Sequence, residues 1–236
     1  MNRNIIEAMH EEQSYIQDRM KGINNSLLER LTKYGYGELS HYFVDKRDYL
    51  FNNWIPEIHY IKVADLTTNL EQAILNKQYG VYISVADGLY AFHGSDDIDY
   101  DLCKELGVEV AEMRHKGGTI IGCNGDMGIE IVVPRGMGLD FKFFMSKIFE
   151  IISKYVDGAE IVGNDILVNG EKVLGSMTRD VNGVFVWAAQ VSFCDHLDVI
   201  QQICSKKSTK TPGHIDTSLL TKKKFEEEVL AWLLKR

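Results

Sequence analysis

Apolar positions recur at helical spacing from the start of the chain. Ile5, Met9, Ile16, Met20 and Ile23 share one face, and Leu27, Leu31 and Tyr34 extend it until Gly35-Tyr36-Gly37 interrupts the pattern. This predicts a helical extension over 1–55, packed on a main domain or serving as a dimerisation arm, with packing the simpler reading. The main domain, 56–236, begins after Pro56 with a predicted strand from Ile58 to Val63 and a helix from Thr68 to Lys77. Beyond that, short apolar runs pair up around turn dipeptides. Val81–Ala86 and Leu89–Phe92 flank Asp87-Gly88, and Gly118–Gly122 and Gly128–Val133 flank a segment with Asn124-Gly125. Ile166–Val168 and Lys172-Val173 flank Asn169-Gly170, and Met177–Val181 and Val184–Val191 flank Asn182-Gly183. Four such signals predict antiparallel hairpins. Helices are predicted from Asp99 to Leu106, around Phe144–Tyr155 and from Thr221 to the C-terminus. The class is therefore α+β, a largely antiparallel sheet with packed helices. Ser205–Gly213, rich in Lys, Ser and Thr, reads as a mobile loop.

One hairpin carries a lysine that looks aimed. Asn169-Gly170 supplies the positive φ angles of a two-residue type I′ turn, and the apolar flanks fix its register. Lys172 sits two residues past the turn on a stiff ribbon, with Val173 on the opposite face, and Gly175-Ser176 lets the backbone approach another group. A lysine so held can neutralise charge that develops when a carboxylate attacks a phosphate. The plain alternative is a solvated strand lysine.

Composition narrows the field. The 236 residues are 45% hydrophobic and 25% charged, an ordinary globular balance. A net charge of −8 argues against a general nucleic-acid binder. No stretch approaches the roughly 20 apolar residues of a membrane span, and the first residues lack the apolar run of a secretory signal. Cys103, Cys123, Cys194 and Cys204 show no C-x-x-C pair, which speaks against a zinc site and for a reducing compartment. The expected location is the cytoplasm.

A second unusual stretch is Lys116-Gly117-Gly118-Thr119-Ile120, followed by Gly122, Gly125 and Gly128. It has five glycines in twelve residues and no Walker spacing. It reads either as a floor on which an acyl chain or nucleotide lies or as a twisted hairpin that needs glycine for its own geometry. Asp165 could ligate Mg²⁺ or act as a turn residue. Cys194 and Cys204 are candidate nucleophiles or small buried residues. His93 and His196 fall in no nucleophile–base pattern, and Ser176 lacks the G-x-S-x-G elbow.

Together these residues resemble the biotin/lipoate protein ligase superfamily. Asn164-Asp165-Ile166, followed by Asn169-Gly170-Glu171-Lys172-Val173-Leu174-Gly175-Ser176, is similar to its lysine motif, and the Gly175-Ser176-Met177 ending is nearer the lipoate branch. Arg114 to Ile120 resembles the glycine-rich motif of lipoate ligases. The resemblance runs over about Glu57–Arg236 and implies a class II synthetase/biotin–lipoate ligase-like catalytic domain. It implies that Lys172 contacts the acid's carboxyl and the α-phosphate. Arg114, Lys116, Gly117, Gly118, Thr119, Ile120, Gly175 and Ser176 would bind the acid, and Asn164 and Asp165 the nucleotide, with Asp165 on Mg²⁺. The implied reaction joins ATP and a small carboxylic acid (lipoate, octanoate or biotin) as an acyl-adenylate, then transfers the acyl group to a lysine of a lipoyl-type acceptor domain. Neither nucleic acid nor membrane is an expected partner.

The chain departs from the family pattern. His115-Lys116, Thr119 and Gly122-Cys123 stand where lipoate ligases carry a second arginine, a third glycine and a His-Asp pair, and the separate C-terminal domain of many lipoate ligases is not expected in these 236 residues. The superfamily also includes ATP-independent octanoyl transferases with a Cys-Lys pair, which here would be Cys204 and Lys172, the lysine lowering the thiol pKa. A non-catalytic ligand-binding module of the same fold is the third reading.

Overall fold

The computed structural model describes residues 47–85, 88–93, 98–112, 120–195, 197–204 and 210–235. The predicted N-terminal helices up to residue 46 lie outside them. The described chain starts with a helical turn over 47–53 and runs β1 (Glu57–Lys62), α1 (Val63–Leu75), β2 (Gly80–Val85), β3 (Tyr90–His93), α2 (Tyr100–Glu105), β4 (Glu109–Glu112), β5 (Ile120–Gly122) and β6 (Met127–Pro134). It continues through α3 (Phe141–Ser153), β7 (Ala159–Val162), β8 (Asp165–Val168), β9 (Glu171–Val181), β10 (Val184–Val191), α4 (Leu197–Ile203) and α5 (Lys222–Leu234). The α+β class is as expected. A seven-stranded sheet has the order β1-β2-β6-β10-β9-β8-β7, and a three-stranded sheet the order β4-β3-β5.

The four Asn-Gly and Asp-Gly signals divide the hairpin predictions into two that hold and two that do not. Asn169 and Gly170 (φ 52° and 86°) and Asn182 and Gly183 (φ 53° and 77°) take the double positive φ of a type I′ turn, and they join β8–β9 and β9–β10 as antiparallel neighbours. Gly88 and Gly125 are not in the left-handed region. There the flanking runs go to different sheets: β2 and β6 lie in the large sheet, β3 and β5 in the small one. The sequence expectation of two further hairpins is thus replaced by crossings between sheets. Two pairings, β1–β2 and β3–β4, are parallel. The helix predicted from Thr68 begins five residues earlier, because β1 passes straight into α1 with no turn or side-chain cap at Lys62.

One face of the large sheet is covered by α3 and α5. Asp140 caps α3 by accepting from Phe143 N (2.9 Å), and Thr221 caps α5 by accepting from Lys224 N (3.1 Å). Phe144, Ile148 and Ile152 from α3, and Phe225, Val229 and Leu233 from α5, pack on Ile129, Ile131, Val173 and Trp187 in one dry cluster. The opposite face is covered by α1, whose Ala73 and Ile74 meet Tyr82, Val132 and Val186 while Val63 and Leu66 meet Tyr90 and Phe92 of the small sheet. This second face is incompletely filled.

Candidate acyl-binding site

Pairing across the sheet sets the site out in rows. Directly opposed residues share a face, as do residues two apart along a strand. The first row reads Asp165, Gly175, Gln190, Gly128, Ser84, and the second Met177, Ala188, Glu130, Tyr82. The third reads Arg179, Val186, Val132. All lie on the α1 side.

Lys172 reaches the first row by folding over Gly175. A Cβ at position 175 would come within 2.9 Å of both Lys172 Cε and Nζ, so glycine is what lets the lysine lie there. Its Nζ is 3.0 Å from Asp165 Oδ1. Asp165 is buried, and its other oxygen meets Lys210 Nζ at 2.5 Å, with Lys210 also donating to Val162 O at 2.7 Å. Two ammonium groups on one carboxylate leave the cluster net positive. Thr211 O accepts from Lys172 N, and Gly213 N donates to Lys172 O, so 210–213 is pinned on the hairpin. That half of the predicted mobile loop is therefore fixed by backbone pairing.

Asn164 and Ser176 hold each other. Asn164 Nδ2 donates to Ser176 O (2.7 Å), and Ser176 N and Oγ both donate to Asn164 O (2.9 and 2.8 Å). This latch joins the Gly163-Asn164 turn to β9, and so positions Asp165 beneath Lys172. The donor set does not fit Mg²⁺ on Asp165. A hard divalent ion draws on several oxygens, whereas this single carboxylate already faces two ammonium groups.

Beside the lysine lies a pocket of about 70 Å³ between the large sheet, α1 and the small sheet. Met177, Ala188 and Val186 form its floor, Leu66 and Leu70 its roof, and Ile120 of β5 one wall. Arg179 bonds Glu71 of α1 at 2.6 Å across its far side. Gly175 to Met177 to Arg179 are two-residue steps of about 7 Å each, so the lysine stands at one end of this apolar trough.

The pocket also exposes what the sequence did not flag. Glu130 and Gln190 line it; Glu130 Oε2 and Ser84 Oγ are buried without a hydrogen-bond partner among the described residues, while the Gln190 amide meets the Tyr90 hydroxyl. Each such group costs about 1–3 kcal/mol. Burial pushes the Glu130 carboxyl up to about 8. Glycines make the room: a Cβ at Gly128 would lie 2.0 Å from Ser84 Oγ, and one at Gly122 would lie 2.5 Å from the Tyr90 hydroxyl. The readable signal was a carboxyl and an amide inside otherwise apolar strands.

Of the remaining candidates, Arg114, Lys116, Gly117, Gly118 and Thr119 lie outside the described residues, as does His196, and nothing is described of the His93 side chain. Ile120 lines the pocket. Cys204, half-buried at the end of α4, packs with the Ala91, Ile98 and Cys103 cluster of the small sheet. Cys194 faces Cys123, and burial with that thiol and the Asp126 carboxylate pushes it up to about 12, unsuited to a thiolate nucleophile. Asp126 is buried and accepts from Phe193 N, Cys194 N and Cys123 N.

No protein-family model matches the chain, and no curated protein is similar to it in sequence. Solved structures do match. Covering 76% of this chain and 84% of theirs, with a TM-score of 0.62 and 14% identity, they include a bi-partite lipoate protein ligase from Thermoplasma acidophilum. The chain has the lipoate–protein ligase fold. Lipoate-protein ligase A bound with ATP has the same fold (TM-score 0.59, 14% identity, 77% of this chain and 86% of that one). So does P. falciparum LipL1 in complex with lipoate (TM-score 0.63, 14% identity, 76% of this chain), of whose length the chain spans 62%. Within this fold the lysine hairpin and the trough lie on one face of the large sheet.

Proposed function

We propose that the chain is an acyl-activating ligase of the lipoate-ligase type. It joins a small carboxylic acid to the α-phosphate of ATP as an acyl-adenylate, releasing pyrophosphate, and passes the acyl group to the amine of a lysine of a lipoyl-type acceptor domain, releasing AMP. The observation that carries this reading is the placement of Lys172. It is folded over Gly175 and held by Asp165 at the end of an apolar trough on the same sheet face.

The chemistry follows from that placement. The acid's tail lies over Met177 and Ala188, with its carboxylate toward Lys172 Nζ. As the carboxylate oxygen attacks the α-phosphorus, negative charge grows on the phosphoryl oxygens, and the ammonium groups of Lys172 and Lys210 stabilise it. Asp165 orients both lysines through its two oxygens. The apolar roof of Leu66 and Leu70 keeps water from the mixed anhydride. Support for the substrates comes from fold neighbours crystallised with lipoate, with ATP and studied with a lipoyl domain.

The test is ATP–pyrophosphate exchange with a panel of small carboxylic acids. Exchange with one acid, lost in Lys172→Ala, is expected. Silence with every acid sinks the ligase reading, and a ligand that still raises the melting temperature would then point to a binding module.

A further inference from the structure

Cys123 and Cys194 stand together although the sequence offers no paired-cysteine spacing. Cys123 opens the turn between β5 and β6, and Cys194 follows the end of β10. Asp126, 68 residues from Cys194 along the chain, is the hub that joins them. Its Oδ2 accepts from Cys123 N (3.1 Å), and its Oδ1 accepts from Phe193 N (2.8 Å) and Cys194 N (3.2 Å). The two sulfurs and one oxygen of this carboxylate all lie within 4.8 Å of one another. Asp126 is buried, and both cysteines are half-buried.

The local geometry suits a pair of metal ligands. Asp126 N donates to Cys123 O (3.0 Å), so the two residues end a tight turn with two residues between them. That is the closest spacing at which zinc sites place paired ligands. Within the turn Gly125 N donates to Cys123 Sγ (3.1 Å), a bond that stabilises negative charge on the sulfur. Gly125 also makes the room, since a Cβ there would overlap Cys194 Sγ and crowd Cys123 Sγ at 3.4 Å. Lys222 Nζ donates to Asn124 O (2.7 Å), which sets an ammonium group on the same turn.

We infer that Cys123, Asp126 and Cys194 bind a zinc-type divalent ion through two thiolate sulfurs and one carboxylate oxygen. The donor set selects the ion. Two sulfurs disfavour Mg²⁺ and Ca²⁺, a carboxylate disfavours Cu(I), and zinc accepts both kinds of donor. Each coordinating thiol releases its proton to solvent, so the raised Cys194 thiol is no obstacle to this role. The ion, two thiolates and the carboxylate leave a single negative charge, which the Lys222 ammonium offsets. The three backbone bonds to Asp126 fix the direction of its carboxylate before an ion arrives. Three ligands from the described residues leave the fourth tetrahedral position for water. Bound there, the ion fastens the end of β5, whose Ile120 walls the trough, to the end of β10, whose Ala188 floors it.

Titration of the reduced full chain with Co²⁺, and then with Zn²⁺, tests this. Cobalt is expected to bind with thiolate-to-metal charge transfer in the near ultraviolet and the strong visible bands of a tetrahedral ion, and zinc to bleach both. Cys123→Ser and Cys194→Ser should each weaken zinc binding by roughly a hundredfold or more. Cys204→Ser should keep it. Zinc should raise the melting temperature of the wild type and of Cys204→Ser, but not of the other two variants. Either of those two gives the reading if the other does not fold. A wild type without the charge-transfer band overturns the inference, as does a band of undiminished intensity in folded Cys123→Ser or Cys194→Ser. So does a Cys123–Cys194 disulfide that forms on oxidation in a chain that takes up no zinc once reduced. None of these readouts involves pyrophosphate exchange, so this inference and the ligase reading fail separately.

Discussion

The two faces of the large sheet are built from the same strands and finished differently. On the α3/α5 side, Phe144, Trp187, Ile129, Ile131 and Phe225 are fully buried in one continuous apolar cluster. On the α1 side, the same β6, β9 and β10 present Gly128, Glu130, Gly175 and Gln190, and the covering elements leave a pocket above Glu130 and Gln190. The first face holds the domain together. The second tolerates unpartnered polar atoms and an unfilled trough, and that tolerance marks it as the working face.

If the division is right, mutations on the two faces should separate stability from activity. The largest expected effect is on activity: Lys172→Ala should lower pyrophosphate exchange by about two orders of magnitude or more. Its urea midpoint should barely move, since the lysine side chain is 37% exposed. Next comes the core face, where Phe144→Ala should cost about 3–5 kcal/mol in urea unfolding. Any change in acid binding there should only follow the loss of folded protein. Gly175→Ala falls between the two classes. Its Cβ displaces Lys172 from the first row, so exchange should fall while the fold persists, and a variant as active as wild type would show that the lysine need not lie over that glycine.

A smaller effect follows from the buried carboxyl of Glu130. Its folded pKa, about 8, lies above the unfolded carboxylate range, so between those values the native state binds the extra proton. Stability from this group is present at low pH and is lost as pH rises from about 4.5 through 8. Urea unfolding at pH 5.5 and 7.5 should show wild type losing up to about 2 kcal/mol more than Glu130→Gln over that interval. Equal losses would place the Glu130 carboxyl in contact with water or a partner.

The sequence made one of these faces more legible than the other. Asn169-Gly170 and Asn182-Gly183 declared their hairpins, because asparagine and glycine accept the positive φ angles of those turns at the least steric cost. That fixed β8, β9 and β10 and aimed Lys172. The same dipeptide logic failed at Asp87-Gly88 and Asn124-Gly125, where the glycines are not left-handed and the chain changes sheets. A turn residue reports local geometry and says nothing of which sheet receives the next strand. Lys210 was hidden in a polar stretch, and its pairing with Asp165 depends on a contact 45 residues distant. Glu130 and Gln190 stand among apolar strand residues, and their burial follows only from the covering of both faces of β6 and β10.

The most direct test of the working face is a crystal structure of the chain with the acid that supports exchange. The account predicts the carboxylate within hydrogen-bond reach of Lys172 Nζ and the tail over Met177 and Ala188, beneath Leu66 and Leu70. An acid bound outside this trough, or in it with its carboxylate turned away from Lys172, would contradict it.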